Sequence, residues 1–251
     1  TTLFRSFVIK NVKHRFFSAP GPGVQTKGIY KMLRLQWNQM KQYYAINPLI
    51  KDYKLIKSSS QDIVESIPSN ASCIEMKRVE NTDDLLHFDF GSVSNIVPFK
   101  DKRYIENRFF NYPFYDYDVF LVCKLNELMA QNIVVCRKAI AKDDEGNNIA
   151  SAYRIVDYYG TENLLPEIIS ALFEKVKSQG DEFLDFVCHG FDELLLKQSG
   201  LTLLNFDSSD VIIPNWFEPL VKENIAVNCV ADTTMYEYRQ CKADGDQDRP
   251  N

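Results

Sequence analysis

The segment Ile149-Ala-Ser-Ala-Tyr-Arg-Ile-Val-Asp-Tyr-Tyr159 and the residues that follow it, as far as Leu201, decide the fold of this chain. Its β-branched and aromatic residues predict a strand. The next segment predicts a helix over 164–179, because its apolar residues recur at three- and four-residue spacing. These residues are Leu164, Leu165, Ile168, Ile169, Leu172, Phe173 and Val176. A second strand at 182–188 and a second helix at 191–199 complete a β-α-β crossover with parallel strands.

Three β-rich segments lead into this crossover. Asp118–Lys124, Ile133–Ala141 and Ile149–Tyr159 are separated by short polar connections. The second connection contains Gly146 and Asn147, which favour a β-hairpin. The sequence therefore predicts an α/β protein with a mixed sheet, in which an antiparallel meander continues into a parallel β-α-β crossover. Ligands of such folds usually bind at the carboxyl end of a crossover strand, so the end of the strand at Tyr159 is the first place to expect a site.

Composition narrows the possible functions. The chain has 251 residues, a formal charge of -5 and 45% hydrophobic residues, without a long basic run. Nucleic-acid binding depends on clustered Lys and Arg, so we expect no nucleic-acid partner. No apolar run reaches the ~20 residues of a membrane span, and no signal-peptide pattern opens the chain, so we expect no membrane span and a cytoplasmic location.

The six cysteines are spread singly through apolar segments, without a paired spacing that would suit a metal, and we expect reduced core thiols. They are Cys73, Cys123, Cys136, Cys188, Cys229 and Cys241.

The N-terminal part of the chain predicts less. The chain begins at Thr1 without an initiator Met, and we expect it to be a fragment of a longer polypeptide. Apolar spacing over 30–44 predicts a helix that Asn47-Pro48 ends. Ser58-Ser-Ser-Gln61 is typical of a linker. We therefore expect an N-terminal segment, 1–60, that is the remnant of an upstream domain, followed by one domain over 61–251.

From Asp118 onward, the order of elements resembles the Gcn5-related N-acetyltransferase fold. Two segments, Ile212-Ile-Pro-Asn-Trp-Phe-Glu-Pro219 and Asp244-Gly-Asp-Gln-Asp-Arg-Pro-Asn251, are similar to segments of acetyltransferase-like proteins of bacterial surface-polysaccharide loci. Larger proteins of that group carry an acetyltransferase domain upstream. The resemblance implies a fold in which acyl-CoA lies where two parallel strands separate. It also implies acetyl-CoA or another acyl-CoA as donor and an amino-sugar as acceptor.

The resemblance places the CoA pyrophosphate on the loop that opens the crossover helix, where glycines let backbone N–H groups approach phosphate. Here that loop contains a single glycine and a carboxylate, Glu162, at the phosphate position. Glu162 is interpreted as a capping charge that replaces the anion, or as a sign that the phosphate site has degenerated. By position, the resemblance assigns cofactor binding to Tyr158, Tyr159, Gly160, Thr161 and Asn163.

The catalytic assignment depends on one histidine. In the family, a tyrosine in the later segment often acts as general acid, and Leu196 stands at that position, so a tyrosine-dependent mechanism is excluded. His189, at the end of the second crossover strand, is the candidate general base, with Asp157 or Asp185 as its partner. A structural role for His189 at the edge of a polar cleft is the alternative. The catalytic candidates are accordingly His189 and Asp157.

Two further features of the sequence are candidate sites. Aromatic residues crowd the stretch Arg108–Phe120, where they suit either the core or stacking on a sugar or other planar ligand. Aspartates at 244, 246 and 248 alternate, but the rest of a calcium-binding loop is missing, so we predict a solvated or docked tail and no metal site. Arg249 is expected to pair with those aspartates or with Glu218.

Two functions follow from the sequence. The first is an acyl-CoA-dependent N-acyltransferase-like enzyme of surface-polysaccharide synthesis, with a small-molecule donor and an amino-sugar acceptor. The second is a domain of the same fold that has lost CoA binding and serves as a binding or scaffolding half beside a catalytic domain. An upstream domain or a second copy of the chain is the expected protein partner.

Overall fold

A computed structural model describes residues 11, 13, 14, 16–58, 73–143, 145–232 and 235–245. The α-helices are α1 (Lys27–Met32), α2 (Lys102–Ile105), α3 (Leu165–Gln179) and α4 (Glu193–Gln198). The strands are β1 (Ser18–Pro20), β2 (Gln36–Gln39), β3 (Lys41–Ile46), β4 (Ile74–Arg78), β5 (Ile96–Val97), β6 (Asp118–Lys124), β7 (Asn132–Lys142), β8 (Asn148–Gly160), β9 (Phe183–His189), β10 (Thr202–Leu203), β11 (Trp216–Phe217), β12 (Leu220–Val221), β13 (Asn228–Ala231), β14 (Glu237–Tyr238) and β15 (Gln240–Cys241). Short 3₁₀ helices span Val24–Thr26, Thr82–His87 and Lys242–Asp244, and a π-helical turn spans Glu106–Phe110.

One mixed sheet organises the molecule. Its strands lie in the order β10-β3-β9-β8-β7-β6-β4, and β15 pairs with β9 off this path. Strands β4, β6, β7 and β8 form an antiparallel meander, whereas β8 and β9 are parallel and joined through α3. The predicted α/β class, with a meander and a parallel β-α-β crossover, is confirmed.

Helix α3 forms where the apolar spacing predicts it. Pro166 stands in its first turn, where a missing N–H costs nothing, and Gly180 ends it in the left-handed conformation with φ 71°. Its apolar residues are buried against the sheet, together with residues of β8, β9 and α4. The helix therefore covers one face of the sheet and fixes the position of the loop that precedes it.

The segment from Val79 to Tyr117 covers the opposite face. Its buried residues, among them Leu85, Ile105 and Phe109, pack on the outward side chains of β6, β7 and β8. Both faces of the central strands are thus buried, which explains the nearly continuous apolar sequence of β6 and β7. Asn81 caps the first 3₁₀ turn of this segment by accepting a bond from the Asp83 N–H.

The predicted helix over 30–44 is wrong in most of its length. Helix α1 ends at Met32, and the residues after it form β2 and β3. Strand β3 lies between β9 and β10, and its side chains enter apolar clusters on both faces of the sheet, Tyr43 and Ala45 on one and Tyr44 and Ile46 on the other. Its sequence therefore lacks a strand alternation. The division into 1–60 and 61–251 remains a prediction, and β3, from the first of these ranges, lies in the same sheet as β9.

The six cysteines, all of which lie in the described ranges, form no disulfide, and four of them are buried, whereas Cys73 is exposed and Cys123 is half-buried. The expectation of core thiols therefore fails at those two positions. No helix in the described ranges is long and apolar enough to cross a membrane.

Candidate functional site

Strands β8 and β9 are paired over a short distance only. The parallel register runs from Tyr153, opposite Leu184, to Ile155, opposite Phe186. Beyond these pairs β8 continues to Gly160 and β9 continues to His189, without pairing to each other. We call this gap the fork. It has the position where the resemblance places an acyl-CoA donor.

The chain's own β15 lies in the fork. Gln240 pairs with His189 and Cys241 with Cys188, so β15 extends the sheet along the free side of β9. The Cys241 Sγ atom contacts the carbonyl oxygen of Tyr158 at 4.0 Å, which brings β15 up to β8 as well. Because Gln240 and Cys241 are buried, β15 fills the gap instead of lining it.

Arg239 closes the outer end of the fork. Its Nη1 atom donates to the Gly160 carbonyl oxygen at 2.7 Å, and its Nη2 atom lies 2.9 Å from Oε1 of Glu162. The guanidinium also pairs with Glu237 and lies over the ring of Phe191. Arg239 is buried, and it supplies positive charge where the resemblance would place a pyrophosphate.

The Glu162 carboxylate bonds to groups outside helix α3, and its interpretation as a charge that suits the N-terminus of that helix remains a prediction. One carboxylate oxygen accepts the Asp192 N–H at 2.6 Å, and the other faces Arg239. Burial raises the pKa of Glu162, although the Asp192 amide and the Arg239 guanidinium both oppose that shift. Glu162 therefore ties the loop before α3 to the start of α4 and to the C-terminal segment.

In the predicted phosphate loop, backbone carbonyl oxygens accept hydrogen bonds from neighbouring side chains. The Thr161 carbonyl oxygen accepts bonds from the Tyr158 hydroxyl and from Asn132 Nδ2, both at 2.5 Å. Gly160, at φ 138°, is needed because a Cβ there would lie 2.3 Å from the Gln131 carbonyl oxygen. The single glycine thus serves close packing on β7.

The five predicted cofactor-binding residues are adjacent in the chain but do not form one surface. Tyr158 is buried on the α3 face of the sheet, whereas Tyr159 is buried on the opposite face. Thr161 is half-buried and Asn163 is exposed. Alternation along β8 makes this inevitable, since successive side chains point to opposite faces. Their role in cofactor binding remains a prediction.

Asp157 is buried in an ionic cluster. Its Oδ1 atom accepts bonds from the Lys100 ammonium and from the Tyr158 N–H, and Lys100 Nζ also lies 2.8 Å from Asp244. Lys100 and Asp157 are 3% and 1% exposed. The carboxylate is therefore committed to an ion pair, and a role as a solvent-accessible base finds no support in its surroundings.

The same cluster contains the one set of closely spaced possible metal ligands among the residues that the structure describes. Ligand atoms of Asp157, Cys241 and Asp244 lie within 4.8 Å of one another. Burial raises the pKa of Asp244, and Lys100 opposes that shift. The Lys100 ammonium already provides the positive charge that both carboxylates contact, which fits an internal ion pair better than a cation site.

His189 stands at the end of β9, half-buried, beside the ring of Tyr238 at 5.3 Å between centroids. Burial lowers its pKa, the nearby Lys41 lowers it further, and a hydrogen bond to the backbone of Gln39 opposes the shift. The imidazole is therefore mainly neutral near pH 7, as a general base must be. Its contacts differ from those of Asp157, so the two catalytic candidates are not brought together.

Asp185, the other proposed partner of His189, is committed elsewhere. It forms a bidentate pair with Arg154, at 2.8 and 2.6 Å, and also accepts from Gln42. All three residues are buried. Asp185 is thus a structural anchor of the sheet interior.

No sequence pattern identifies Arg239, which closes the fork, or Lys100, which pairs with Asp157 and Asp244. Arg239 stands in a short strand-like segment, and Lys100 follows a proline-containing turn, with no motif at either position. A lone basic residue between apolar neighbours is a weak sign of a buried ion pair. Arg249, and the aspartates at 246 and 248, lie outside the described residues. Glu218, proposed as the partner of Arg249, accepts a hydrogen bond from the Tyr115 hydroxyl.

No family model matches the chain, and no curated protein matches it. Similar solved structures include a GCN5-related N-acetyltransferase from Anabaena variabilis, with 10% identity and a TM-score of 0.47. That match covers 91% of this chain and 48% of the other. A functionally unknown conserved protein from Staphylococcus epidermidis matches at 13% identity and a TM-score of 0.45, covering 94% and 82%.

N-myristoyltransferase from Saccharomyces cerevisiae, solved with bound myristoyl-CoA, is also similar. Its identity is 8% and its TM-score 0.45, and the match covers 81% of this chain and 48% of that one. The chain thus spans about half the length of the Anabaena and yeast proteins. Identities of this size transfer no residue role to this chain.

Proposed function

We propose that this chain is an N-acyltransferase-like domain that does not hold acyl-CoA in its fork and acts as a binding or scaffolding half beside a catalytic domain. The single observation that carries the proposal is the position of β15 between β8 and β9, with Arg239 hydrogen-bonded to Gly160. An acyl-CoA in the fork would have to displace a buried strand. It would also have to replace a buried ion pair between Arg239 and Glu162.

The finer parts of this proposal come from the sequence. The C-terminal segments that resemble proteins of surface-polysaccharide loci support a role in polysaccharide synthesis, and the division near residue 60 supports an upstream domain as the neighbour. A cytoplasmic location and a homo-oligomer belong to the same proposal. None of these parts of the proposal depends on whether the fork is occupied, and each needs its own test.

The experiment is a calorimetric titration of the full chain with acetyl-CoA and with CoA, accompanied by thermal melts. We expect neither heat nor a thermal shift at about millimolar ligand, which corresponds to binding weaker than about -4 kcal/mol. A dissociation constant of about 10 μM or lower would overturn the proposal, because a binding free energy of this size requires that acyl-CoA has access to a site on the protein. The same titration of the variant Arg239→Ala helps to distinguish binding from no binding, since this variant lacks the side chain that closes the outer end of the fork.

A second function is favoured by His189. In this alternative the chain transfers an acyl group from acyl-CoA to an amino-sugar after β15 has left the fork, and the neutral imidazole removes a proton from the acceptor ammonium. The half-buried position of His189 at the end of β9 and its lowered pKa support it. Turnover of an amino-sugar that His189→Ala abolishes and His87→Ala leaves unchanged would establish this alternative over the first.

A further inference from the structure

A groove of about 840 Å³ lies along the part of β7 that β6 does not cover. Strand β6 begins at Asp118, which pairs with Cys136, so no strand of the described residues pairs with the outer edge of β7 from Arg137 to Lys142. The hairpin of β11 and β12 forms one wall, and the loop before β6 forms the other. The volume is within the range of about 300–1,000 Å³ that is typical of ligand sites.

The groove is separate from the fork. Its part of β7 pairs with the first half of β8, for example Ile140 with Ser151, whereas the fork begins after Ile155. At its near end the groove reaches Arg137, which pairs with Arg154, but it lies on the outer edge of β7, so that β7 and β8 themselves separate it from the fork. Occupation of the fork by β15 therefore leaves the groove open.

The aromatic stretch that precedes β6 supplies the ring surfaces of the groove. Tyr117 and Phe109 from this stretch are buried in the core, but Phe114 is 69% exposed and lines the groove. Beside it, the Arg137 guanidinium lies 4.0 Å from the centroid of the Tyr115 ring. Exposed aromatic rings beside polar groups suit ligands that have one apolar face and a polar rim.

Hydrogen-bonding groups are arranged around these rings. The Tyr115 hydroxyl donates to Glu218 Oε2 at 2.7 Å, and Arg137 lies 3.9 Å from the other oxygen of the same carboxylate. This pairing holds the loop against the hairpin. Lys142, exposed at the end of β7, adds a cation to the rim, and the exposed Asp116 adds a carboxyl group. The edge of β7, which no strand among the described residues pairs with, adds backbone N–H and C=O groups.

We propose that this groove binds an acidic saccharide of the uronic-acid class, with a sugar ring on Phe114, the carboxylate at Lys142, and hydroxyl groups at Glu218 and the β7 edge. A pyranose ring presents axial C–H groups to an aromatic face and hydroxyl groups to its sides, which matches this arrangement. The groove would therefore bind a class of ligand different from acyl-CoA. It does not depend on whether the fork binds acyl-CoA.

A peptide strand added to the β7 edge is the competing occupant. The edge carries Lys138 and Lys142 on either side of the exposed Ile140. Lysines at an edge are a common device against strand pairing, and Lys138 is held by Asp181 at 2.9 Å. The rings and charges of the groove therefore favour a saccharide.

The test is a calorimetric titration of the full chain with tetragalacturonate at low ionic strength, with cellotetraose as the neutral comparison. We expect a dissociation constant of about 1 mM or lower for the acidic probe and binding at least about tenfold weaker for the neutral one. Phe114→Ala should weaken the acidic probe about tenfold, and Lys142→Glu should weaken it about fivefold or more.

Matched controls keep the result interpretable. Phe99→Ala removes another exposed aromatic residue away from the groove, and Lys31→Glu makes the same charge change on α1. Both should leave the affinity within about twofold of the wild type. Because Phe114 and Lys142 are exposed, their variants should keep the wild-type melting temperature.

Three results of the saccharide titrations would overturn the inference. They are no heat with tetragalacturonate at about 5 mM, equal affinity for the neutral tetramer, or Phe114→Ala and Lys142→Glu both within about twofold of the wild type. Binding of an extended acidic peptide in place of the saccharide would also overturn it and identify β7 as a strand-docking edge. The acyl-CoA titration tests binding in the fork and not in the groove. The proposal about the fork and the proposal about the groove can therefore fail independently.

Discussion

The guanidinium of Arg239 and the carboxylate of Glu162 lie 2.9 Å apart, with 7% and 13% of the two side chains exposed. This pair joins the C-terminal segment to the loop that opens α3. Because the Glu162 carboxylate also accepts the Asp192 N–H, one buried charge links three elements around the fork. Removing the arginine would leave that charge without its cation.

We predict that Arg239→Ala lowers the free energy of unfolding by about 2–3 kcal/mol, because it leaves Glu162 buried and unpaired. Urea denaturation at pH 7 measures the loss. Arg78→Ala is the control, since Arg78 pairs with Asp118 at 2.9 Å but is half exposed, and it should cost about 1 kcal/mol or less.

The double variant Glu162→Gln/Arg239→Ala completes the cycle. We expect it to be less destabilised than the sum of the two single variants by about 1 kcal/mol or more, as for residues in contact. Additive losses would show that the pair contributes no interaction free energy, and the fork would then be closed by β15 packing alone.

Gly190 allows a direct test of how tightly the C-terminal segment is packed. At Gly190, with φ 82°, an added Cβ would lie 2.0 Å from the Tyr238 carbonyl oxygen, whereas at Gly146, with φ 85°, it would meet nothing within 4 Å. Both alanine variants carry the backbone cost of about 1–2 kcal/mol for positive φ. Gly190→Ala should cost at least about 2 kcal/mol more, because the clash is with backbone.

Thermal or urea unfolding of the two glycine variants checks this prediction. If Gly190→Ala is instead tolerated like Gly146→Ala, the segment 237–241 can leave β9 at little cost. That outcome would favour the acyltransferase alternative, in which the fork opens to admit a donor.

The local parts of the fold could be predicted from the sequence, because they depend on periodicity and turn chemistry. The spacing of Leu165 to Val176 specifies α3, and Gly146 and Asn147 favour the hairpin between β7 and β8. Strand β3 could not be predicted in the same way. Burial on both faces removes its alternation, and its tyrosines then fit a helical stripe as well as a strand.

The position of the candidate site could be predicted from the sequence, but the segment that occupies it could not. The fork follows from the crossover between β8 and β9, which the sequence specifies. Its occupant, β15, begins at Gln240, far along the chain from the end of β9 at His189, and pairing between β9 and β15 is a long-range contact without a local signal. Strand β15 contains only two residues, and a strand of this length is too short to show a periodicity in the sequence.

The pH dependence of stability should carry the signature of His189. Burial lowers its folded-state pKa below 6.5, so the unfolded chain binds the proton more tightly. The contribution of the neutral imidazole to stability is therefore complete above about pH 6.5 and is lost as the pH falls toward the folded-state pKa. We predict that His189→Gln flattens the rise of unfolding free energy between about pH 5 and 7.

Urea denaturation across that range measures the slope for the wild type and for His189→Gln. His87→Gln, which removes an exposed imidazole, is the control for the loss of a histidine in general. An unchanged slope in His189→Gln would contradict the prediction and would place the imidazole in contact with solvent. It would then also weaken the case for a neutral base.

The buried cluster of Lys100, Asp157 and Asp244 gives the last prediction. Burial alone would lower the pKa of Lys100, but the two carboxylates outweigh it and hold that pKa well above its ordinary value. Lys100→Met would leave both carboxylates buried without their cation. We expect a loss of about 3–5 kcal/mol at pH 7, which is typical of breaking a buried pair.

The pH dependence of that loss distinguishes charge from packing. Burial already raises the pKa of Asp244, and without Lys100 that pKa rises further, so the protonated form of Asp244 stabilises the variant at low pH, and this stability is lost as the pH rises. Lys100→Met should therefore cost less at about pH 4 than at pH 7. Lys102→Met, at a residue whose side chain is 30% exposed, is the control and should cost about 1 kcal/mol or less. A loss in Lys100→Met that does not change with pH would mean that the cluster is held by packing, and that the charge of Lys100 does not secure the C-terminal segment against β8.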